Sequence, residues 1–393
     1  MSNAASASAG GSMTAQPSSP AAAVLHRPPA HLLVIGGLDS EGNSLYSVDV
    51  CSFSGTFVGS DVLMNWADLS GMYLSRVGHT ATLLPDGRRV VIAGGVAGGS
   101  PVQLATIEAY DVTTGAVFAY GHLNHARSNH TATPVYQDSI LIAGGSSASV
   151  PFRSDCEIYS TTTYVGQPTA RMHCTRMMHT ATRLQHGGVL VVGGFGTGTH
   201  TPELFVEATS SWTVLSDTTV ERYGHTATLL ADGRVLVVGG VNSNNVLGRG
   251  DCEIYDPSSQ TWTATASLIQ ARAHHTATLL PDGRVVVAGG TNGPNVPLSA
   301  AEIYDPVQQA WAALPPMNYT RVGHTADFLN GHVFVVGGGE TGGAGEYYDQ
   351  SSNIWRYRGI LTPARGYHTS TVLFTPPNPW LYPLSTLAYA TAR

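Results

Sequence analysis

One stretch of sequence recurs along the chain, and it limits the available folds more than any other feature. At 275–290 the stretch reads His-Thr-Ala-Thr-Leu-Leu-Pro-Asp-Gly-Arg-Val-Val-Val-Ala-Gly-Gly. Close copies occupy 79–95 and 225–240, and weaker copies occupy 130–145, 179–194 and 324–338. The spacing is roughly 50 residues and extends over most of the 393-residue chain. The chain is therefore built from repeats of one supersecondary unit.

Each repeat reads as four short strands. In His-Thr-Ala-Thr-Leu-Leu, polar and apolar side chains alternate and two residues are β-branched, which predicts a first strand. Pro-Asp-Gly-Arg consists of residues that favour a tight turn. The apolar Val-Val-Val-Ala predicts a second strand that is buried on both faces. Glu-Ile-Tyr-Asp, as at 253–256, predicts a third strand, and a tryptophan such as Trp262 marks the fourth. Four antiparallel strands per repeat are typical of a propeller blade.

The two ends of the repeat region are complementary. The segment 31–37 is a second strand with no first strand before it, and 365–374 is a first strand with no second strand after it. Joined, they complete one more blade and remove an exposed sheet edge. We therefore predict an all-β, seven-bladed propeller with four antiparallel strands per blade, its first blade closed by the N- and C-terminal strands. Seven Gly-Gly pairs support this count; they begin at Gly36, Gly94, Gly144, Gly193, Gly239, Gly289 and Gly337.

With its period and its double glycines, the segment 30–374 resembles the kelch-repeat propellers. The sequence pattern His-Thr-Ala-Thr-Leu-Leu-Pro-Asp-Gly-Arg is similar to the repeats in the central domain of galactose oxidase. The resemblance implies an interaction module, because most members of this family bind partners. A minority are enzymes, among them copper-radical oxidases and sialic-acid epimerases.

Composition sets the domain limits and excludes some partners. We expect residues 1–29 to be a disordered leader rich in Ala, Ser and Pro, 30–376 to be the propeller, and 377–393 to be a C-terminal tail. Charged residues make up 11% of the chain, the net charge is −7, and all 19 basic residues are arginine. Without a basic run we expect no nucleic-acid partner. Without a signal sequence, an anchor or a membrane span we expect a cytoplasmic location.

Two sets of charged and polar residues recur in every repeat. An acidic residue lies in each third strand, at Asp49, Glu108, Glu157, Glu203, Glu253, Glu302 and Glu346. An Arg-x-x-His motif precedes each first strand, and its residues are Arg76, His79, Arg127, His130, Arg176, His179, Arg222, His225, Arg272, His275, Arg321, His324, Arg365 and His368. A binding site is usually asymmetric, whereas a structural requirement recurs. We therefore predict that these residues brace the blades through charge-assisted hydrogen bonds.

The loops between second and third strands differ from one another, whereas the turns between first and second strands are nearly uniform. These loops are 38–45, 96–106, 146–155, 195–202, 241–250, 291–299 and 339–345, and we call the end of the propeller that carries them the loop face. Variable loops on a rigid frame usually carry recognition. Our candidate binding residues are Phe152, Arg153, Phe195, His200, Asn244, Asn245, Arg249, Asn292 and Asn295.

The function that these features favour is a non-catalytic scaffold that binds a protein, peptide or glycan through the loop face, with no cofactor and no metal. The alternative is a small-molecule or carbohydrate-active site in the central cavity, of copper-radical oxidase or sugar-acid epimerase type. Tyr367-His368 matches the adjacent Tyr-His pair of the oxidases in form, but no Cys–Tyr pair can be assigned. His173, Cys174, Met177, Met178 and His179 form a second group of soft metal ligands, although strand alternation would direct them to opposite faces.

Overall fold

A computed structural model describes residues 30–54, 63–69, 71–98, 102–136, 138–218, 220–242, 247–294, 296–338 and 343–374. These residues form an all-β propeller with thirty strands and one short 3₁₀ helix, Glu207–Thr209. No helix in these ranges has the length and apolarity that would let it cross a membrane.

Sheets of four antiparallel strands account for most of the fold. One joins the two ends of the described chain, in the order β3 (Leu63–Asp68), β2 (Val48–Ser54), β1 (Ala30–Ile35) and β30 (Thr369–Phe374). Four more sheets follow one another along the chain. They are β13 (Thr180–Arg183), β14 (Val189–Val192), β16 (Glu203–Val206) and β17 (Ser211–Val214); β18 (Thr226–Leu229), β19 (Val235–Val238), β20 (Cys252–Asp256) and β21 (Thr261–Thr265); β22 (Thr276–Leu279), β23 (Val285–Ala288), β24 (Ala301–Asp305) and β25 (Ala310–Leu314); and β26 (Thr325–Leu329), β27 (His332–Val336), β28 (Ala344–Asp349) and β29 (Ile354–Ile360).

The remaining strands form one sheet of eight strands and one ribbon of two. The eight-stranded sheet has the order β4 (Thr80–Leu83), β5 (Arg89–Ala93), β6 (Thr106–Asp111), β7 (Val117–His122), β11 (Val165–Thr169), β10 (Cys156–Ser160), β9 (Ser139–Ala143) and β8 (Thr131–Val135). The ribbon pairs β12 (Thr175–Met177) with β15 (Phe195–Thr197). Separate four-stranded sheets therefore number five among the described residues, and a count of seven depends on treating the eight-stranded sheet as two blades.

A single contact between outer strands joins the two halves of the eight-stranded sheet. β7 and β11 run parallel and pair at His122 and Val165. Gly121, at φ +130°, precedes this contact, and a Cβ atom there would lie 2.8 Å from the backbone carbonyl oxygen of Tyr164, the residue before β11. Only glycine allows this approach, because any side chain would separate the two strands. The sequence pattern predicted two separate blades here. The structure differs from that prediction in this contact between their outer strands.

The core lies between neighbouring sheets, and second strands supply much of it. Leu236 and Val238 of β19 pack with Val285 and Val287 of β23 in one buried cluster. Full burial of such a side chain contributes about 1.5–3 kcal/mol. The innermost strands β4, β8, β13, β18, β22, β26 and β30 contact one another in that order, and β30 contacts β4. The chain therefore closes into a ring, with β1 and β30 paired from Ala30–Phe374 to Ile35–Thr369.

Candidate functional site

Buried ion pairs fasten each linker between sheets to the sheet that follows. Arg272 donates to Glu302 at 2.7 Å, and both side chains are almost completely buried. Glu302 also accepts hydrogen bonds from the backbone N–H groups of Ile269 and Gln270, at 2.7 and 3.0 Å. One carboxylate thus neutralises the arginine and satisfies the backbone of the linker. The equivalent pairs, which we call the ion-pair ring, are Arg76–Glu108, Arg127–Glu157, Arg176–Glu203, Arg222–Glu253, Arg272–Glu302, Arg321–Glu346 and Arg365–Asp49.

A second closed set of hydrogen bonds, which we call the histidine ring, links the histidine of each repeat to a threonine in the first strand of the preceding repeat. The Nε2–Oγ1 distances lie between 2.9 and 3.2 Å. Burial, with nearby Arg76, lowers the pKa of His79 to about 3, and burial lowers the pKa of His368 to a similar value. The imidazole rings of His79 and His368 are therefore neutral at pH 7. The bonds of this histidine ring are Thr80–His130, Thr131–His179, Thr180–His225, Thr226–His275, Thr276–His324, Thr325–His368 and Thr369–His79.

The residues of the two candidate metal groups lie in different environments. Tyr367 is 41% exposed, whereas His368 is fully buried and bonded to Thr325. In the second group, His173 is partly exposed beside Glu203, with its Nδ1 atom 3.0 Å from the carboxylate, and His179 is buried. Within the described ranges no three His, Cys, Asp or Glu side chains are placed to share a metal ion.

The structure brings together two of the nine candidate loop residues. The rings of Phe152 and Phe195, from neighbouring loops, meet edge to face with their centroids 5.3 Å apart. Pairing of β15 with β12 holds Phe195 opposite Met177. The loop that we predicted at 195–202 therefore begins with a short strand, and this strand fixes the position of the phenylalanine.

The charged candidates take part in local contacts. Arg153 has an 8% exposed side chain and lies 2.8 Å from Asp155, and Arg249 lies 2.9 Å from Asp251 in the same Arg-x-Asp-Cys-Glu context. Both arginines therefore brace their own loops. His200 is half exposed, and its Nε2 atom lies 3.5 Å from Asp217.

Of the four candidate asparagines, only Asn292 lies among the described residues. The backbone N–H of Asn292 donates to the carbonyl of Val296 at 3.2 Å, which closes a turn in its loop. Asn244, Asn245 and Asn295 lie outside the described residues, as do the leader at 1–29, part of the loop at 339–345 and the tail at 377–393.

Two residues that we did not single out extend the phenylalanine pair. The ring of Tyr223 lies 5.4 Å from that of Phe195, and His274 lies 6.3 Å from Tyr223. We call Phe152, Phe195, Tyr223 and His274 the aromatic row. Tyr223 and His274 occupy the first and second variable positions of the Arg-x-x-His motif, where Val, Ser, Ala, Gly, Asn and Met also occur and where Tyr367 is a further aromatic residue. Large aromatic residues at those positions were the signal that comparison of the repeats could have found.

The architecture and the family comparison agree. The family model described as the KLHDC2/KLHL20/DRC7 Kelch-repeats domain matches residues 129–338, which is more than half of the chain. The chain belongs to the kelch-repeat family. A comparison with curated proteins returned no match. Kelch propellers generally serve as protein-interaction scaffolds, and the matched segment of this one contains the whole aromatic row.

The backbone of this kelch propeller holds the row in place. Tyr223 pairs with Val241 through an isolated antiparallel bridge, and the next residue of each repeat, as at Gly224 and His274, takes positive φ. The backbone N–H of His274 donates to the carbonyl of Gly224 at 2.7 Å. His274 has φ +52°, and its ring lies against Gly224, where a Cβ atom would be 2.7 Å from it. Gly224 therefore makes room for the ring of His274.

Exposed aliphatic residues lie in the loops at both ends of the row. Val150, two residues before Phe152, is 37% exposed. At the other end Leu247 and Val296 are 53% and 50% exposed, and Leu247 lies over Gly293. Contiguous exposed apolar surface marks interaction sites on soluble proteins. Among the described residues, exposed aliphatic side chains thus occur in the same and neighbouring loops as the aromatic row.

Proposed function

We propose that this kelch propeller is a non-catalytic scaffold that binds a protein, peptide or glycan through the loop face, with the aromatic row at the centre of the site. The observation that carries the proposal is the row itself. Its rings come from neighbouring repeats and meet one another, although the residues at the positions of Tyr223 and His274 vary between Gly, Ala, Ser, Val, Asn, Met and Tyr in the other repeats. Binding hot spots are enriched in large aromatic side chains of this kind.

The burial of the row supports this role. Each of its four side chains is partly buried, so the surrounding loops hold the ring in a fixed orientation while part of it stays accessible. A pre-ordered side chain loses little conformational entropy on binding. The ion-pair ring and the histidine ring, in contrast, are buried and satisfy structural hydrogen bonds. Recognition is therefore assigned to the non-repeated residues.

Binding by variants tests the proposal. Full-length tagged protein would capture partners from a cell extract, and quantitative mass spectrometry would compare wild type with Phe195→Ala and Tyr223→Ala. Val307→Ala is the matched control, because Val307 is 90% exposed in the turn between β24 and β25 on the opposite face. We expect one or more partners that both row variants lose and the control keeps. An unchanged partner set in the row variants would contradict the proposal.

The full count of blades belongs to the same proposal: a single seven-bladed propeller over 30–376, preceded by a leader at 1–29 and followed by a tail at 377–393. Strands β4–β7 and β8–β11 each have the four-strand antiparallel order of a blade, and one parallel bridge joins them. Limited proteolysis should leave a core that begins near residue 30 and ends near 376. Early cleavage between blades within this core would count against a single domain, and a crystal structure would test the number seven.

One observation favours the alternative, a small-molecule or carbohydrate site in the central cavity. Asp327, on innermost strand β26, replaces the threonine of the other repeats and is bonded to Ser370 of β30. Burial raises the pKa of this carboxyl to about 6. A thermal-shift screen with sugars, sugar acids and copper would test this function. Stabilisation that Asp327→Thr abolishes would support it, whereas an unshifted melting temperature with every compound would remove it.

A further inference from the structure

We propose that the wall of the central cavity binds a monovalent metal cation, Na⁺ or K⁺, beside Asp327. The site does not involve the aromatic row, so it goes beyond the proposed function, and it departs from the expectation of no metal that we drew from the sequence. Three observations carry the proposal. A carboxyl replaces a hydroxyl at one position of the wall, the replacement sets two acceptors against each other, and the carboxyl is buried without a cationic partner in the described chain.

The innermost strands share one polar position along the wall of the central cavity. In six repeats it is threonine: Thr82, Thr133, Thr182, Thr228, Thr278 and Thr371. The hydroxyl of Thr278 donates to the carbonyl of Ala326 on the next innermost strand at 3.5 Å. The hydroxyl of Thr82 donates to the carbonyl of Ala132 in the same way, at 3.4 Å. Each innermost strand pairs with a blade strand on one side only, so the threonine serves an acceptor on the edge that the sheet leaves open.

Asp327 breaks this pattern on β26. A threonine there would donate to the carbonyl of Ser370 on β30, but an ionised carboxyl has no proton to donate. Ser370 is also an exception, because the other repeats have alanine at its position, and its hydroxyl donates to Oδ2 of Asp327. Oδ1 has no donor among the described residues. Two acceptors, Oδ1 and the Ser370 carbonyl, thus belong to neighbouring strands, and a cation between them would satisfy both.

The described chain supplies no positive charge to this carboxyl. Asp327 is 8% exposed, Ser370 is 3% exposed, and no arginine or histidine in the described ranges pairs with Asp327. Burial raises the pKa of Asp327 to about 6, and the hydrogen bond from Ser370 offsets only part of this rise. The carboxyl is therefore mostly ionised at pH 7.5. A buried carboxylate is costly unless a counter-ion accompanies it.

The oxygen atoms at this place favour a hard cation with a single charge. Carboxylate, hydroxyl and carbonyl oxygens suit alkali and alkaline-earth ions, whereas copper and zinc prefer nitrogen and sulfur ligands. Thr371, one residue beyond Ser370, adds a hydroxyl oxygen that is fully buried and has no hydrogen-bond partner in the described part of the chain. One carboxylate balances one positive charge, so a monovalent cation leaves the site neutral.

Thermal unfolding in different chloride salts tests the proposal. The full-length protein would be melted at pH 7.5 and constant ionic strength in NaCl, KCl or choline chloride, whose bulky cation does not fit between neighbouring strands. A ligand that binds only the folded state raises the melting temperature. We expect a higher melting temperature in NaCl or KCl than in choline chloride, with a cation dependence that fits one site. Equal melting temperatures in the three salts would overturn the proposal.

Variants assign the effect to the carboxyl. Asp327→Thr restores the residue of the other repeats and should fold, and both it and Asp327→Asn should lose the difference between the salts. Asp282→Asn is the matched control, because the side chain of Asp282 is 45% exposed in a surface turn, and it should keep the difference. A difference that persists in both Asp327 variants would place the cation elsewhere and refute the proposal.

Anomalous scattering locates the ion. Thallium(I) replaces K⁺ and scatters strongly, so crystals of the full-length protein grown in thallium(I) acetate should show a peak beside the Asp327 carboxyl. Crystals of the Asp327→Thr variant should lack it. A wild-type crystal without this peak would contradict the site. None of these results alters the proposed function, because the row variants and their partners are measured separately.

Discussion

The guanidinium of Arg365 lies 2.6 Å from the carboxylate of Asp49, and both side chains are almost completely buried. Asp49 belongs to β2, near the beginning of the described residues, and Arg365 directly precedes β30 at their end. In the other repeats an Arg–Glu pair occupies the same position. The contact that fastens each linker to the next sheet therefore also fastens the two ends of the described chain to each other.

We expect the loss of one arginine from the ion-pair ring to be costly. Arg272→Ala leaves the buried carboxylate of Glu302 without its cation and should lower the free energy of unfolding by about 3–5 kcal/mol. Urea denaturation followed by fluorescence measures the change. Arg284→Ala is the control, because its pair with Asp282 is 2.6 Å long but exposed, and should cost about 0–1 kcal/mol. Equal losses in the two variants would show that burial is not the deciding factor.

The hydroxyl groups of the histidine ring should matter individually. Thr80→Val preserves the shape of the side chain but removes the oxygen that lies 3.2 Å from Nε2 of His130. Both residues are buried, so we expect a loss of about 1–3 kcal/mol. Thr80→Ser, which keeps the hydroxyl, should lose less. The thermal midpoints of the two variants provide the measurement, and a serine variant as unstable as the valine variant would contradict this role.

Acid should destabilise the protein through the same histidines. In the folded state the pKa of His79 and of His368 is lowered to about 3, chiefly by burial, from an ordinary value of 6.5. Between these values the unfolded chain binds protons that the folded chain does not, so stability falls as pH falls from about 6.5 towards 3. Urea midpoints from pH 7.5 to 4 should decrease accordingly, and His368→Gln should flatten the decrease. An unchanged slope in this variant would argue against the histidines.

Asp327 should have the opposite pH dependence. Burial raises its folded pKa to about 6 from an ordinary value of 3.8, so its contribution to stability is present below pH 3.8 and lost as pH rises through 6. Asp327→Thr restores the residue of the other repeats and should raise stability at pH 7.5 by about 3 kcal/mol. The gain should disappear near pH 4. The reciprocal Thr278→Asp should destabilise at pH 7.5, and a gain for Asp327→Thr that is independent of pH would contradict this reasoning.

The first glycine of each pair should be needed for space as well as for conformation. Gly289 has φ +62°, and a Cβ atom would lie 2.7 Å from the His324 ring and 2.9 Å from the carbonyl oxygen of Arg321. Gly283 also has positive φ, at +88°, but a Cβ atom there would meet nothing within 4 Å. Gly283→Ala should cost about 1 kcal/mol for its backbone, and Gly289→Ala clearly more. Denaturant melts compare the two, and equal costs would remove the steric argument.

The repeat made much of the fold predictable from sequence. Strand order, the tight turns and the pairing of the two ends follow from local patterns such as the apolar 285–288 and the halves at 31–37 and 365–374. The family match and the structure confirm a kelch propeller. The edge contact of His122 with Val165 was not predictable, because it depends on how close two outer strands come after the ring has closed.

The candidate binding residues divide in the same way. Comparison of the repeats shows which segments vary, so the sequence by itself predicted variable loops at one end of a repeated frame. It also gave Phe152 and Phe195 as candidates within those loops. Only the tertiary structure decided that these two rings meet Tyr223 and His274, and that Arg153 is buried against Asp155. Strand patterns arise from neighbours along the chain, whereas contacts between loops of different repeats depend on the geometry of the closed ring.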